Sequence, residues 1–348
     1  MNKPIDIKTG KLFLDLNDTS KNQKNINLAF NHEEVHETLE KNSNETLRAW
    51  LKLQQGWCNT AYKTFKDYDS YLILVYLILQ IMKKYSDRFQ FLTEEEFYNK
   101  KDLQLEKINL IEISKDLGIP KETIRRKIML LQKKNLLYRK GKSIFFNATI
   151  EEFQRPLISK PLLAKYLEKS SRILAKEDWF GEHISLEKIE KFITEYFTIG
   201  WQHWLRLQIP FLVRNRNFFG DLETWNIWGS IGISQFHDYS QQIEKSLIES
   251  PSGHKDLYLT LLKHTPRNGI NASSIAEISR IPRATVIRKL KYLVSQKLVK
   301  RNKKLEYVFN YTSRQNQFME NNYFQNKLYV SKFVYTFFDL MKFSKLKV

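Results

Sequence analysis

A short stretch that occurs twice decides the fold: Ile119-Pro-Lys-Glu-Thr-Ile-Arg-Arg-Lys-Ile and Ile281-Pro-Arg-Ala-Thr-Val-Ile-Arg-Lys-Leu. Each copy predicts the start of a helix, because a proline in the first helical position loses no hydrogen bond. In both copies apolar residues recur at helical spacing on one face, while the opposite face is basic. Each predicted helix follows a shorter amphipathic segment, at residues 110–117 and 274–279. This spacing is typical of a helix-turn-helix.

Each of these helices is followed by a predicted basic β-hairpin. Residues 136–147 (LLYRKGKSIFFN) and residues 298–310 (LVKRNKKLEYVFN) both contain a short strand, a basic turn and a second, alternating strand. A helix-turn-helix followed by such a hairpin is a winged helix. The alternative is a pair of helical hairpins with solvated basic faces, but the hairpin is repeated together with the helices and therefore favours the winged helix.

The repetition covers more than the helix-turn-helix. Residues 50–71 align without a gap with residues 204–225, and the identical pairs include Trp50/Trp204, Gln54/Gln208 and Asp67/Asp221. Each unit is predicted to contain a long helix, a second apolar helix, a helix-turn-helix, a wing and a closing helix. The fold class is therefore mainly α with small β wings. We expect a flexible arm over residues 1–42, with a short helix near 33–39, a first winged-helix unit over 43–180 and a second over 186–348.

Positive charge is concentrated on the two motifs. The 348-residue chain carries a net charge of +19. Residues 115–142 contain ten basic and two acidic residues, and residues 280–304 contain ten basic residues and no acidic one. Charge gathered in this way is typical of a protein that binds a polyanion.

Other features exclude several classes of protein. The single cysteine, Cys58, cannot form an intramolecular disulfide, which fits a reducing compartment. The N-terminus has no signal-peptide pattern. The most apolar run, residues 71–82, is shorter than the roughly 20 residues of a membrane span, and we interpret it as a buried core or dimer helix. We therefore expect no membrane contact and a cytoplasmic, nucleoid-associated location.

One motif suggests a different chemistry. Residues 32–36 (HEEVH) match H-E-x-x-H, in which two histidines one helical turn apart bind zinc and the glutamate activates water. A charged Glu34 within the motif, the polar flanks and the lack of an obvious third ligand, with only Glu40 and Glu45 nearby, favour a chance match. A zinc metallopeptidase at His32 and His36 is the weakest alternative, and we expect neither a metal, a cofactor nor catalysis.

The order of helices around each winged helix resembles that of the MarR (multiple-antibiotic-resistance regulator) family of bacterial transcription factors. The resemblance rests on this architecture and on the turn I-P-x-x-T-[IV]-x-R-K-[IL]. Members of that family are homodimers whose terminal helices form the interface and whose winged helices enter neighbouring major grooves. The family carries one winged helix per chain, whereas this chain carries two, so the resemblance implies a fused pseudo-dimer.

The two recognition helices differ where a helix faces DNA bases. Glu122 could accept a hydrogen bond from cytosine N4 and Arg125 could bridge guanine O6 and N7, whereas Ala284 and Ile287 in the second helix offer only apolar contact. Thr123/Thr285 and Arg126/Arg288 are shared and are expected to contact phosphates. Alternatively, Glu122 is solvated or pairs with Arg126 within the helix. The full set of predicted DNA contacts is Lys121, Glu122, Thr123, Arg125, Arg126, Arg139, Lys140 and Lys142, with Arg283, Ala284, Thr285, Ile287, Arg288, Arg301, Lys303 and Lys304.

These patterns predict a sequence-specific transcriptional regulator that binds double-stranded DNA. Two unequal recognition helices predict a non-palindromic site with half-sites about one helical turn apart, bound by a monomeric pseudo-dimer; a homodimer of the chain would need a longer palindrome. A plasmid-type replication initiator, which also uses tandem winged helices, is the alternative. Aromatic residues are frequent between Trp201 and Trp228. They are more typical of core or interface than of a pocket for a small-molecule effector, whose identity the sequence does not indicate.

Overall fold

The computed structural model describes residues 31–105, 108–141, 143–150, 159–177, 183–244, 269–310 and 313–345. They form a mainly helical protein with a few small antiparallel strands, which confirms the predicted fold class at that level. The first half contains α1 (His32–Lys41), α2 (Ser43–Phe65), α3 (Tyr68–Asp87), α4 (Glu94–Tyr98), β1 (Leu103–Gln104), α5 (Leu110–Leu117), α6 (Lys121–Lys133), β2 (Leu137–Lys140), β3 (Ser143–Phe146) and α7 (Lys160–Ala175). The second half contains α8 (Leu186–Glu195), α9 (Phe197–Phe219), α10 (Leu222–Glu244), α11 (Ala272–Ser279), α12 (Arg283–Ser295), β4 (Val299–Arg301), β5 (Tyr307–Phe309) and α13 (Ser313–Lys345). None of the helices in these ranges is long and apolar enough to cross a membrane.

The predicted flexible arm ends earlier than residue 42. Residues 32–41 form α1, whose start is held by a capping box between Asn31 and Glu34. Val35 and Leu39 are buried because α1 packs on α13, the last helix of the other half. The short helix predicted near residues 33–39 is confirmed, but it is a packed element of the fold. Residues 1–30 lie outside the described part of the chain.

Several helices of the two halves match in order and length. Helices α1 and α8 both have 10 residues, and α2 and α9 both have 23. The packing is also repeated across the halves, since α8 packs on α7 as α1 packs on α13. The first helix of each half therefore lies on the closing helix of the other half.

Residues at equivalent positions of α2 and α9 contact each other directly. Gln54 and Gln208 are both buried and exchange two hydrogen bonds of 2.9 Å between their side-chain amides. The rings of Trp50 and Trp204 meet edge-on with centroids 6.4 Å apart. Contact between equivalent residues is the signature of an isologous, two-fold interface. The two halves are therefore related by a pseudo-two-fold axis that passes between α2 and α9.

One large hydrophobic core extends through both halves, and Leu47, Phe236 and Tyr239 form a second, small cluster. Helix α3 contributes an almost continuous buried run from Tyr71 to Ile78, and it packs on α9 of the other half. The prediction that residues 71–82 form a buried core helix is confirmed. Asp67 begins α3 as its N-cap, with its carboxylate accepting from the amides of Asp69 and Ser70 at 3.2 Å.

Each half also contains a pair of short helices followed by an antiparallel hairpin. In the first half the strand order is β1-β3-β2, with Leu103 paired to Phe146 and Leu137 paired to the same residue on the other side. In the second half β4 pairs with β5, and an isolated bridge from Ile270 to Tyr307 takes the place of β1. The same arrangement of elements therefore occurs on both sides of the pseudo-two-fold axis.

Candidate nucleic-acid interface

The first candidate interface is built around α5 and α6. Asn109 caps α5, and Gly118 ends it in the left-handed region with φ 64°. A Cβ at this glycine would lie 2.8 Å from the side-chain oxygen of Asn217, so there is no room for a side chain at this position. Helix α6 begins at Lys121, and Pro120 is its N-cap. The sequence predicts this proline at the first helical position, so the helix begins one residue later than predicted.

Helix α6 buries one face and exposes the other. Ile124, Ile128 and Leu131 are buried, as the helical spacing predicts. Among the predicted DNA contacts on this helix, Thr123 is half-buried, and the exposed ones are Lys121, Glu122, Arg125 and Arg126.

Glu122 has a partner other than the expected one. Its two carboxylate oxygens accept from Nε and Nη2 of Arg125 at 3.0 and 2.9 Å. The Arg125 hydrogen bonds, with smaller attraction from Arg126, hold the pKa of the Glu122 carboxyl below its usual value. The alternative that Glu122 is solvated and paired within its helix is therefore confirmed, but its hydrogen-bond partner is Arg125 and not Arg126. The i, i+3 geometry lets a bidentate fork form with Arg125, which joins the two residues expected to read bases.

The second candidate interface repeats the first on α11 and α12. Arg280 takes the left-handed position of Gly118, with φ 61°, and Pro282 caps α12 as Pro120 caps α6. Arg283 donates from Nε to the Ser273 hydroxyl at 3.0 Å. The other predicted contacts on this helix are Ala284 and Arg288, which are exposed, and Thr285 and Ile287, which are half-buried.

An ion pair connects α6 to the start of α3, and another connects α12 to the start of α10. Lys127 on α6 binds Asp67 at 2.5 Å, and Lys289 on α12 binds Asp221. All four side chains are partly buried. No sequence pattern assigned these lysines a structural role, although both pairs occur at equivalent places of the repeat.

The turn of each short-helix pair is also held from the opposite half. Arg216 of α9 donates to the Gly118 carbonyl at 2.9 Å and forms an ion pair with Asp69 at 2.9 Å. Asn59 of α2 donates to the Ile278 carbonyl at 2.8 Å. These crossed contacts orient the two candidate interfaces relative to each other.

The basic side chains of the two hairpins differ in their partners. Lys140 is ion-paired with Asp102 at 2.6 Å, and Tyr138 donates its hydroxyl to the same carboxylate. Arg301 donates to the Tyr307 hydroxyl at 2.9 Å and lies over its ring. The remaining predicted hairpin contacts, Arg139, Lys303 and Lys304, are exposed, whereas Lys142 lies outside the described residues.

The two histidines of the H-E-x-x-H match face helix α13. Nδ1 of His36 lies 3.0 Å from the Ser331 hydroxyl, and the His32 ring meets Tyr335 edge-on. Burial, reinforced by Lys332, lowers the pKa of the His32 imidazole to about 4. Within the part of the chain that the structure describes, no group of three His, Cys, Asp or Glu side chains could hold a metal ion.

The aromatic residues between 201 and 228 divide into two groups. Trp201 and Trp204 are buried in the core between the halves. Phe211, Trp225 and Trp228 belong to the same core and also line a cavity of about 210 Å³ between α2, α10 and α13. The expectation that these aromatic residues are core or interface is therefore confirmed for their burial, and three of them additionally line a cavity.

Comparison with known proteins found no matching family model, no matching curated protein and no matching solved structure.

Proposed function

We propose that this protein is a sequence-specific transcriptional regulator that binds double-stranded DNA and has no catalytic activity. Each half is a winged helix-turn-helix, with α6 or α12 as the recognition helix and the following hairpin as the wing. The protein acts as a fused pseudo-dimer in the cytoplasm, at the nucleoid. The observation that carries the proposal is the repeated pair of exposed basic helices, placed on either side of a pseudo-two-fold axis.

The exposed side chains support this assignment. Arg126 and Arg288 occupy equivalent, exposed positions beside half-buried Thr123 and Thr285. A basic side chain repeated in both halves suits phosphate contacts, which position a protein without reading sequence. The fork of Arg125 and Glu122 has no equivalent in α12, where Ile287 and Ala284 take its place. The two halves therefore read different half-sites.

The pseudo-two-fold relation favours the regulator over a replication initiator. Two recognition helices related by a two-fold axis meet half-sites in inverted orientation, as in dimeric helix-turn-helix proteins. A tandem initiator of the alternative class would bind direct repeats. The proposed site is thus an imperfect inverted repeat.

Selection of bound duplexes from a random DNA library, with the mass of the complex measured alongside, tests the proposal. We expect an asymmetric inverted motif bound by one chain. A palindrome bound by two chains would contradict the fused pseudo-dimer, and a direct repeat would favour the initiator. Binding without any enriched motif that falls steeply with salt would leave only a non-specific polyanion binder.

Alanine variants in each half test the contribution of that half to DNA binding. Arg126→Ala and Arg288→Ala should each weaken DNA binding on all sequences and reduce its salt dependence by about one counterion. Lys188→Ala, which removes an exposed charge from the first turn of α8, should leave DNA binding unchanged. Equal effects of all three variants would contradict the assignment of α6 and α12 as recognition helices.

A further inference from the structure

The cavity between α2, α10 and α13 lies beside two glycines of α10 that have no counterpart in α3. Helix α10 has Gly229 and Gly232 where the equivalent positions of α3 hold Val75 and Ile78. Val75 and Ile78 are both buried. A Cβ built on Gly229 meets no atom within 4 Å, so the glycine opens on empty space. The second half thus lacks two side chains that are buried in the first.

The walls of the cavity are aromatic. Trp50 meets Phe211 edge-on with ring centroids 5.6 Å apart, and Phe211 meets Trp225 at 5.4 Å. Trp228 stacks on Phe309 of β5 at 4.5 Å. All five rings belong to the lining. Flat aromatic walls of this kind favour a flat, apolar guest.

Several polar side chains of the lining have partners within the lining or beside it, whereas the buried indole N–H of Trp228 has no hydrogen-bond partner in the described structure. Gln54 is paired with Gln208, and the Asn322 amide donates to Asn215. Asn226 donates to the Tyr68 hydroxyl at 2.8 Å. Lys327, at one side of the cavity, forms an ion pair with Glu40. A guest therefore meets no uncompensated charge among these groups, which favours a neutral ligand.

The cavity also touches the second hairpin. The Phe309 ring enters the lining because Gly232 has no side chain: a Cβ there would lie 2.8 Å from the ring. The backbone amide of Phe309 donates to the side-chain oxygen of Gln235, another lining residue, at 3.1 Å. A molecule in the cavity would contact the strand that follows the basic tip of this hairpin.

We propose that the second half carries a single binding site for a neutral, apolar ligand of one or two fused aromatic rings, opened by Gly229. The volume of about 210 Å³ suits such a ligand, since an apolar protein cavity of about 150 Å³ holds benzene. Occupancy changes the position of β5 and hence the DNA affinity of the second half-site. This last step rests on the proposed DNA binding, whereas the ligand site itself does not.

Calorimetric titration of the full chain with indole, without DNA, tests the site. We expect one molecule of indole per chain and a negative heat-capacity change, the mark of apolar burial. Gly229→Ala should weaken binding severalfold, and Gly229→Val, which copies Val75, should weaken it by about tenfold or more. Ser234→Val adds the same side chain to the same helix outside the lining, and it should bind indole like the unmodified protein.

Equal indole affinity of all these proteins, or no binding by the unmodified chain, would overturn the site. Gly229→Ala keeps the comparison informative even if Gly229→Val fails to fold, because alanine is favoured over glycine within a helix. DNA affinities for each half-site, measured with and without indole, test the coupling. We expect a change of about fivefold or more at the second half-site only. Bound indole with unchanged DNA affinity would overturn the coupling and leave the site.

Discussion

At the scale of single residues, the pair of Glu122 and Arg125 defines the difference between the two candidate interfaces. Both side chains are about three-fifths exposed and form a bidentate ion pair with each other. An exposed ion pair contributes little to stability, so the fork has more consequence for recognition than for folding. It fixes the direction of the Arg125 guanidinium at the surface that would face DNA.

Glu122→Ala should raise the affinity for arbitrary DNA and reduce the preference for the first half-site. The change removes a negative charge that would face phosphates, and it releases Arg125 from its fixed orientation. We expect a loss of about 1–3 kcal/mol of discrimination at the base pair that the fork reads. Competition binding with substituted half-sites measures this loss. Ile287→Ala in α12 serves as the matched change, and a loss confined to the second half-site after Glu122→Ala would contradict the assignment.

Glu223 gives the chain a specific dependence on pH. Burial raises the pKa of its carboxyl from 4.5 to about 7, and the nearby Asp221 adds to the increase. The folded protein therefore holds a proton that the unfolded chain releases between pH 4.5 and 7. This contribution to stability is fully present below pH 4.5 and is lost as the pH rises to about 7.

Glu223→Gln should consequently raise the free energy of unfolding by about 1–2 kcal/mol at pH 8 and change it little at pH 4.5. Urea unfolding of the variant and the unmodified chain at both pH values measures the difference. Glu187→Gln, at an exposed position of α8, provides the control. The same change at both pH values would show that Glu223 is ionised throughout.

At the scale of secondary-structure elements, two partly buried ion pairs connect the candidate recognition helices to the rest of the protein. Lys127–Asp67 and Lys289–Asp221 connect α6 to α3 and α12 to α10. The Lys140–Asp102 pair in the first hairpin is far more exposed. Partly buried pairs contribute more than exposed ones because water screens them less.

Asp67→Asn and Asp221→Asn should each lower the free energy of unfolding by about 1–2 kcal/mol, because asparagine keeps the N-cap but loses the charge. Asp102→Asn should lower it by less than about 0.5 kcal/mol. Chemical denaturation of the three variants gives the values. A larger loss for Asp102→Asn than for the other two would contradict the structural role of the partly buried pairs.

At the scale of the whole molecule, the pseudo-two-fold axis passes through a buried amide pair. Gln54 and Gln208 each satisfy the other, and the core around them is shared by both halves. Removing one amide leaves its partner buried without a hydrogen bond, which is more costly than removing both.

Gln54→Leu and Gln208→Leu should each destabilise the protein by about 1–3 kcal/mol, and the double variant should lose clearly less than the sum of the two. A double-mutant cycle in urea measures the coupling. Because the core is continuous, we also expect a single unfolding transition for the unmodified chain. Additive losses, or two separate transitions, would contradict a shared core.

Local signals in the sequence suffice to predict the repeating elements of this protein. The prolines at 120 and 282 and the helical spacing of apolar residues predict α6 and α12, and the alternating strands predict the hairpins. The apolar run of residues 71–82 likewise predicts a buried helix. Each of these patterns depends on neighbours within a few residues.

The contacts between side chains that are far apart in the chain depend on how the helices pack. The pair of Gln54 and Gln208, the packing of α1 on α13 and the ion pair of Lys127 with Asp67 join residues far apart in sequence, which no periodic pattern specifies. The cavity at Gly229 has the same origin, since a glycine in a helix indicates neither a void nor a contact until the surrounding helices are placed. The charge of the two surfaces is therefore a property of the sequence, whereas their relative orientation and the cavity at Gly229 depend on packing.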